Sequence, residues 1–497
     1  MNEAVRFEQE GLADAQSWKR FAHWHDDGYY TLQTEDTGDL PVRLFLTHSL
    51  FESAEDTLYR QIVNATRFPG VQIVVITPDV HYGYGVPVGC VVITDYESGA
   101  IAMGPVGYDI GCGMMSAKSV VNVDAATADK RLQFNQAVMD RIEMGAGGKS
   151  DRLGDFSESE FNNLVRGGAE FYVEKYGATF DRSKAERHRI PVDDDWQPPW
   201  GGKGKPERGR RQMGSLGGGN HFIELQREVN TGELFVQVHT GSRGFGHGLA
   251  TNYFELARAE RPERGKDIDL GYFTPESKHY RDYLNAVAAG GNYAILNRLI
   301  IFEQVAEAFR ETFDAELELI YEISHNLVQH EWHPEFGDVW VHRKGATRAF
   351  PAGYPVLRGT IWEDTGHPVL IPGSNKDFSY ILRPLPNAVN SGFSVNHGAG
   401  RRLSRSQAAK TLSQRKIDDE YADAGILVNT DGHVPIDESA PCYKSSEEVI
   451  KAVLDASLAE VQYKLWPVSS LKGIEEGPRW RKRKSRRRRR RASSEHF

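Results

Sequence analysis

The chain has 497 residues, of which 39% are hydrophobic and 26% charged, and only three are cysteines. This composition excludes wholesale disorder, and the length allows two to four domains or one elaborate domain. Cys90, Cys112 and Cys442 are too few for a disulfide framework, which favours a reducing compartment. Apolar runs such as Ile73–Ile76 are far shorter than the roughly 20 residues of a membrane span, and Met1–Ala13 lacks the apolar core of a signal peptide. We therefore expect a cytoplasmic protein without a membrane segment.

The net charge of −9 averages two very different segments. Arg479–Arg491 holds 11 basic residues in 13 positions and no acid. Met1–Pro478, with 49 basic and 68 acidic residues, has a net charge of −19. We expect residues 475–497 to form a disordered basic tail. Such a tail either binds polyanions through salt-sensitive phosphate contacts or is a solvated extension.

The first predicted elements are two strands with glycine-rich loops beside them. Val71–Thr77 and Cys90–Thr94 are short β-branched runs bounded by Pro, Gly and Asp, as in buried strands. The loops Asp79–Gly85 and Gly104–Met114 lie next to them, where α/β proteins commonly carry active-site residues. Residues 145–209 are rich in Gly, Asp, Arg and Pro, and predict a surface excursion with one helix near Glu158–Tyr176.

Further along the chain, strand and helix patterns alternate. The runs HFIELQ and LFVQVHT on either side of Asn230–Gly232 predict a β-hairpin. From about Tyr280 to Gln329 apolar residues recur at three- and four-residue spacing, which predicts helix. Ala352–Arg383 predicts short strands and turns, and Ser446–Leu458 a final helix. The mixture indicates an α/β fold (mixed α+β) and, since the glycine loops are spread along the chain, one large domain over residues 1–474.

The hairpin allows geometry to be read from the sequence. A turn near Thr231 places His221 and His239 nearly opposite each other, with Cβ atoms about 4.5–5.5 Å apart. Two imidazoles so placed can share a metal ion, and two packed histidines at a strand end are the alternative. Asp109 and Cys112 could likewise bring a carboxylate and a thiolate to one cation, or be a turn-forming Asp beside a buried Cys. A mixed Asp/Cys/His set is typical of a catalytic site for Mn, Fe, Co or Zn rather than of a structural zinc site.

Two other histidines differ in what their surroundings indicate. The residues around His325 by themselves favour a packed or solvated histidine at a helix end. His397 precedes Gly398–Arg402, where small residues let backbone N–H groups approach an anion and arginines neutralise it. An imidazole there can act as nucleophile or acid/base, and a basic helix start is the alternative. No Walker-type loop occurs, and His330–His333 lacks the spacing of a zinc protease, which excludes both of those classes.

Seven motifs in order along the chain resemble the RtcB family of RNA-splicing ligases. They are Pro78–Gly89, Gly107–Met114, Gly217–Leu225, Val238–His247, Ser324–Asn326, His342–Gly353 and His397–Arg405. The resemblance extends over about residues 68–473 and implies a single domain with mixed sheets around a central metal and nucleotide cleft.

The resemblance implies a GTP-dependent enzyme of RNA splicing or repair that joins an RNA 2′,3′-cyclic phosphate or 3′-phosphate end to a 5′-hydroxyl end. It implies a guanylylated His397 and an RNA-3′-pp-5′-G intermediate, with Asp79 and Arg243 as further catalytic positions: Asp79 as an acid near the metals and Arg243 facing an RNA phosphate. Two Mn²⁺ ions would be held by Asp109, Cys112, His221, His239 and His325, with the thiolate shared. The implied GTP-binding residues are Asn220, His221, Phe222, Ile223, Glu224, His325, Asn326, Pro372, Gly373, Ser374, Asn375, Ser379, His397, Gly398, Ala399, Gly400, Tyr443 and Lys472.

Two segments depart from the family pattern. Asn375–Phe378 and Cys442–Ser446 replace the usual residues of the guanine pocket, so nucleotide preference stays open. In a regular strand His221 and Glu224 would face opposite sides, one toward a metal and the other toward guanine. The alternatives are a metal-dependent RNA end phosphatase or cyclic phosphodiesterase without GMP transfer, and an RNA-binding chaperone driven by the tail. The physiological RNA and any activating protein are left open.

Overall fold

The computed structural model describes residues 12, 17–150, 156–177, 181–185, 189–261 and 268–473. The helices are α1 His48–Ser53, α2 Thr57–Thr66, α3 Ala128–Arg141, α4 Glu158–Tyr176, α5 Arg243–Glu260, α6 Tyr280–Phe313, α7 Arg405–Thr411, α8 Gln414–Asp423 and α9 Ser446–Asp455. The strands are β1 Ala22–His25, β2 Tyr29–Leu32, β3 Val42–Leu44, β4 Val71–His81, β5 Val88–Asp95, β6 Ile101–Ala102, β7 Gly113–Asn122, β8 Phe222–Glu228, β9 Glu233–Thr240, β10 Tyr272–Phe273, β11 Glu318–Ser324, β12 Asn326–His333, β13 Gly337–Lys344, β14 Ala346–Arg348, β15 Val369–Ile371, β16 Ser379–Pro384, β17 Ser394–Asn396, β18 Leu427–Val428 and β19 Ala459–Lys472.

Two mixed sheets form the framework. The first has seven strands in the order β1-β2-β3-β4-β5-β13-β12, with β3 and β4 parallel. The second has the order β11-β7-β9-β8-β19-β16-β15, and β18 joins it by pairing parallel to β19. Two small ribbons, β6/β10 and β14/β17, complete the pairing of these strands. The predicted mixed α/β class is confirmed.

Three apolar layers hold the sheets and helices together. Alternate residues of β8 and β9, such as Ile223 and Val238, pack with α3–α6 on one face of the second sheet. Helices α1 and α2 pack with β3–β5 of the first sheet. Between the sheets, Val75 and Val91 of the first share a cluster with Val369 and Leu382 of the second. This packing brings strand ends of both sheets close together, and the cleft described below lies between those strand ends.

Several locally encoded elements match their predicted positions. The helix predicted near Glu158–Tyr176 is α4, which is kinked at Gly168, where φ is 56°. Ser157 caps it by accepting a hydrogen bond from the Glu160 backbone N–H. The hairpin is β8/β9, with Phe222 opposite His239, so His221 lies one position from the predicted pairing. The predicted strands lie within β4 and β5, and the last helix, α9, ends at Asp455.

The prediction of helix from Tyr280 to Gln329 is wrong beyond Phe313. Asp314, with φ of 53°, ends α6 in the left-handed conformation, and residues 318–333 form β11 and β12. The charged residues of Glu316–Leu319 alternate with leucines at strand period, and β11 pairs with β7. His325 consequently lies between two strands, not at a helix end.

The segment 145–209 is also more than the predicted surface excursion. Phe161, Leu164 and Trp196 are buried in the same apolar layer as α6. The predicted basic tail, residues 475–497, lies outside the described residues. Among the residues that are described, no helix combines the length and hydropathy needed to cross a membrane.

Candidate metal and nucleotide site

A cluster of metal-ligand side chains lies where four strands of the second sheet end. Cys112 precedes β7, His221 precedes β8, His239 lies near the end of β9, and His325 follows β11. The pairings Gly113 with Thr240 and Gly113 with Ser324 place these strand ends side by side. Residues distant in the sequence therefore meet at one edge because of the strand register.

The potential ligand atoms lie as close together as atoms that bind a common metal ion. Cys112 Sγ is 3.3 Å from His239 Nε2 and 3.6 Å from His221 Nε2. His239 Nε2 is 3.3 Å from His325 Nε2, and His221 Nε2 is 3.1 Å from Asp109 Oδ2. These side chains form two groups that could each hold a metal ion, Cys112–His239–His325 and Asp109–Cys112–His221, and Cys112 Sγ belongs to both.

The hydrogen bonds of the rings indicate that a cation fits between these atoms. His221 Nδ1–H donates to Leu216 O at 3.1 Å, and His239 Nδ1–H donates to Asn220 O at 3.0 Å. Each Nε2 is then free to donate its lone pair to a cation and lies next to another potential ligand atom, Asp109 Oδ2 for His221 and His325 Nε2 for His239. Ligands bound to one metal at about 2.1 Å are about 3.0 to 3.4 Å apart, close to the separations found here. The donor set of carboxylate, imidazoles and thiolate fits a transition metal.

The pKa values of these groups are consistent with this chemistry. Burial lowers the pKa of both His239 and His325 well below its usual value, which keeps the rings neutral and available as ligands. Burial, with the Asp109 charge, raises the pKa of the Cys112 thiol, so a bound cation would have to displace its proton. Burial acts to raise the pKa of Asp109, but a His221 ring protonated at Nε2 outweighs this by its hydrogen bond and charge and lowers the pKa to about 2. A cation that replaces this proton would stabilise the same carboxylate.

His397 lies beside the cluster and is held by Asp79. Its ring centroid is 4.8 Å from that of His325. The Nδ1–H of His397 donates to Asp79 Oδ2 at 2.6 Å, and the same oxygen accepts from the backbone N–H groups of His397 and Gly398 at 3.1 and 3.3 Å. Thr77 Oγ1 donates to the other oxygen at 2.6 Å. Burial acts to raise the pKa of Asp79, but His397 and Thr77 outweigh it and hold the pKa below its usual value.

A cavity of about 410 Å³ adjoins both groups and is lined by most of the predicted site residues. Those lining it are Asp109, Cys112, Asn220, Phe222, Glu224, His239, His325, Asn326, Pro372, Gly373, Ser374, Asn375, His397, Gly398, Ala399, Gly400, Tyr443 and Lys472. The cavity is large enough for a small organic ligand.

Five predicted residues do not line this cavity. Asp79 and His221 lie behind it, against His397 and Asp109 respectively. Ile223 is fully buried in the helix-covered core. Ser379 Oγ accepts from the Gly373 N–H at 3.0 Å, which fixes the 372–375 loop. Arg243 donates to Ser215 Oγ at 3.3 Å and to Gly145 O at 3.1 Å, so its guanidinium binds protein groups.

Glu224 is the buried acid of the cavity wall. Its two oxygens accept from Ser470 Oγ at 3.0 Å and Gln226 Nε2 at 2.9 Å. Burial raises the pKa of Glu224 to about 7, although the nearby Lys472 acts to lower it. Ile223 faces the helix-covered core while Glu224 and Phe222 face the cavity, as the alternation of a regular strand requires.

The sequence reasoning missed several residues of the wall, above all Glu438. This buried carboxylate lies 3.7 Å from Lys472 Nζ, 3.3 Å from Arg401 Nη1 and 2.8 Å from Arg405 Nη2. It also accepts a hydrogen bond from the Tyr443 hydroxyl. The segment around Glu438 has no distinctive composition, so no local signal marks it. Tyr84, Tyr108 and Lys344 also line the cavity, and they lie inside or next to the recognised motifs.

Two segments depart from the family pattern, and each contributes one residue to the cavity wall: Asn375 from Asn375–Phe378 and Tyr443 from Cys442–Ser446. Lys376, Asp377 and Phe378 contact Glu420, the Ser446 N–H and Trp466 respectively. Only Asn375 of that segment lines the cavity. The departure therefore changes fewer wall positions than its length suggests.

Comparison with known proteins gives the same assignment over most of the chain. Residues 61–473 match the family described as tRNA-splicing ligase RtcB. A tRNA-splicing ligase RtcB of Pyrobaculum aerophilum is 34% identical over 475 residues, covering 87% of this chain and 95% of that protein. One of Thermococcus kodakarensis is 33% identical, covering 87% and 95%. An RNA-splicing ligase RtcB of Mycobacterium tuberculosis is 35% identical, covering 83% and 100%.

Proposed function

The chain belongs to the RtcB family, and we propose that it is an RNA ligase that joins a 3′-phosphate or 2′,3′-cyclic phosphate end to a 5′-hydroxyl end. We propose further that GTP is its energy source and that two Mn²⁺ ions are its metals. A metal site with a thiolate ligand suits a reducing compartment, so we place the activity in the cytoplasm.

The observation that carries this proposal is the hydrogen bond that orients the His397 ring in the cavity wall. The Asp79 carboxylate holds Nδ1–H at 2.6 Å, which leaves the lone pair on Nε2 of a ring that lines the cavity. A neutral imidazole oriented in this way is a nucleophile, and the neighbouring carboxylate stabilises the positive charge that develops on attack. A phosphatase that uses a metal-activated water does not require a nucleophilic side chain beside its metal ligands.

In the proposed reaction, His397 Nε2 attacks the α-phosphorus of GTP. A P–N bond forms as the α–β phosphoanhydride bond breaks, and pyrophosphate leaves. A 3′-phosphate oxygen of the RNA then attacks the same phosphorus, which frees His397 and leaves a 3′-pp-5′-G end. Finally the 5′-hydroxyl of the second RNA attacks the RNA phosphate, forms the phosphodiester bond and releases GMP. A 2′,3′-cyclic end must first take up water to give the 3′-phosphate.

The metal ligands and the basic wall residues suit this charge-rich chemistry. Bound divalent cations would neutralise phosphate oxygens and orient the displacement. The residues that would hold them are Asp109, Cys112, His221, His239 and His325, with Cys112 belonging to both ligand groups. Lys472 and Arg401 of the wall add positive charge for the anionic substrate.

Glu224 is suited to the guanine base. An ionised carboxylate accepts two hydrogen bonds, and guanine offers adjacent N1–H and N2–H donors along one edge. Burial strengthens such charge-assisted hydrogen bonds because water does not compete for them. The Lys472 ammonium group, 5.5 Å from the Phe222 ring centroid, lies beside Glu224 in the same part of the cavity wall.

Incubation of the purified protein with α-³²P-GTP and Mn²⁺ tests the proposal. We expect an acid-labile, alkali-stable protein label that is absent from His397→Asn and that RNA with a 3′-phosphate removes. If the wild-type protein takes no label but still hydrolyses a 2′,3′-cyclic or 3′-phosphate end, the phosphatase alternative is correct. If neither activity is found and RNA binding persists, the chaperone alternative is favoured.

A further inference from the structure

Arg298 is a charged residue in the middle of the long, largely buried helix α6. It lies in α6 within the run AILNRLIIF, and its side chain is fully buried. A buried guanidinium requires several hydrogen-bond partners and a counter-charge, since it cannot lose its proton. Glu322 of β11, also fully buried, supplies the counter-charge by pairing with Arg298 Nε.

The remaining donors of Arg298 reach three different chain segments. Nη1 donates to Gly111 O at 2.7 Å and to Thr240 O at 2.9 Å. Nη2 donates to Ser324 Oγ at 2.7 Å. A planar guanidinium presents its donors in a fixed fork, so it sets the spacing of these three acceptors.

Each acceptor is the immediate neighbour of one metal-ligand residue. Gly111 precedes Cys112, Thr240 follows His239, and Ser324 precedes His325. These three ligands make up one of the two groups, Cys112–His239–His325. Arg298 itself does not line the cavity, so it lies behind the ligand residues.

We propose that Arg298 is a positioning residue that holds Cys112, His239 and His325 at the spacing one metal ion requires. This inference rests on the metal centre of the proposed function. Because Glu322 balances its charge, Arg298 acts through the geometry of its hydrogen bonds. Loss of groups that orient ligands from behind typically costs about 10–100-fold in metal affinity.

The test is titration of the metal-free protein with Co²⁺, a spectroscopic substitute for Mn²⁺, followed by calorimetry with Mn²⁺. The first variant is Arg298→Met with Glu322→Leu, because replacing a buried pair by apolar residues of similar volume often preserves stability. We expect a folded protein with at least tenfold weaker Mn²⁺ binding and a weakened thiolate-to-Co²⁺ absorption band. Arg298→Lys, which keeps the charge but loses the fork, should show the same direction of change, and it decides the question if the double variant does not fold.

The matched control is another buried pair, Arg343 with Glu331, which lies in the first sheet. Arg343 Nη1 and Nη2 contact Glu331 at 2.5 and 2.9 Å. Arg343 otherwise donates to Ser394 Oγ and to the carbonyls of Gly392 and Phe393, and none of its acceptors adjoins a metal-ligand residue. Replacing this pair with Met and Leu should therefore leave the Co²⁺ spectrum and the Mn²⁺ affinity as in the wild type. Wild-type spectrum and affinity in the Arg298 variants would overturn the inference. A wild-type protein with no thiolate-to-Co²⁺ band would instead overturn the metal centre itself, and the inference with it.

Discussion

At the residue scale, the strongest constraint in the site is the single oxygen that orients His397. Asp79 Oδ2 accepts from the ring Nδ1–H and from two consecutive backbone N–H groups. The carboxylate therefore fixes both the tautomer of the ring and the loop that carries it. The family resemblance implied an acid near the metals, and the strand pattern predicted β4 as far as Thr77, but neither the extension of β4 to His81 nor the contact of Asp79 with His397 could be derived from the sequence.

Asp79→Asn should keep the shape of the site but remove the negative charge beside His397. Because Oδ2 accepts from three N–H groups, the amide oxygen should take its place, which keeps the proton on Nδ1 but no longer stabilises the positive charge that develops on the attacking ring. Loss of the equivalent carboxylate in a serine protease, where the tautomer changes as well, costs about 10⁴-fold in rate, so we expect a smaller loss here, about 10²-fold in single-turnover guanylylation. Thr77→Val, which removes only the contact to the other oxygen, should slow the step much less. Equal rates for Asp79→Asn and the wild type would contradict the assignment.

Glu224 should make guanine recognition depend on pH. Its pKa of about 7 means that the carboxylate gains a proton as pH falls from 8 to 6 and loses its ability to accept two hydrogen bonds. We expect guanosine, which carries no phosphate and needs no metal, to bind about tenfold more weakly at pH 6 than at pH 8. Glu224→Gln should bind weakly at both pH values, because an amide offers one acceptor and does not titrate. A pH-independent guanosine affinity in the wild type, measured by calorimetry, would refute this role.

Cys112 and Cys90 form a matched pair for testing the shared sulfur. Both are buried and free, but Cys90 lies in the apolar layer beneath the first sheet, where burial raises its pKa to about 12. Cys112→Ala should weaken binding of both Mn²⁺ ions by more than the 10–100-fold typical of outer-shell changes. Cys90→Ala should alter stability only. Calorimetric titration that still finds two tight sites in Cys112→Ala would show that the sulfur is not shared.

At the element scale, what could be predicted depended on how local the signal is. Helix α4 and the hairpin β8/β9 have their periodicity, caps and turn within a few residues, and their positions were predicted almost to the residue. The end of α6 was missed because apolar residues continue past Phe313, and the change to strand depends on pairing of β11 with β7. Because this pairing is long-range, the residues around His325 carried no local signal that it lies between two strands beside the other metal-ligand residues.

The loop that carries His397 also needs a particular glycine. Gly400 has φ of +77°, and a Cβ atom there would lie 2.0 Å from Asp79 O. Gly400→Ala should displace the loop from Asp79, slow guanylylation at least about tenfold, and lower the free energy of unfolding by more than the roughly 1–2 kcal/mol of the strained backbone alone. Gly359, with φ of +75° and open space around it, is the control. Gly359→Ala should lower the free energy of unfolding, measured in denaturant, only by the cost of the strained backbone, and it should keep the wild-type rate of guanylylation. An equal rate for the two variants would refute the argument that Gly400 holds the His397 loop in place.

At the scale of the whole molecule, the order of strands assembles the site and could not be predicted. Strand β19, the last strand of the described residues, lies between β8 and β16, so Lys472 pairs with Phe222 some 250 residues earlier. The cluster around Glu438 depends on this insertion, since Lys472 approaches Glu438 only from β19. The seven motifs indicated which residues share a site, and long-range pairing decides which of them touch.

The same placement of β19 gives a clean test of the basic segment. A Cβ atom on Gly473 would lie 2.1 Å from Gly217 O, so the last described residue packs tightly, and truncation after it leaves β19 intact. The truncated protein should guanylylate at the wild-type rate. The removed segment carries 11 basic and 3 acidic residues, whereas residues 1–473 have a net charge of −17. The full chain should therefore bind single-stranded RNA more tightly at 50 mM salt and lose affinity more steeply toward 200 mM. Identical salt dependence for both proteins in a filter-binding assay would show that the segment makes no phosphate contacts, and loss of guanylylation would show instead that it belongs to the enzyme.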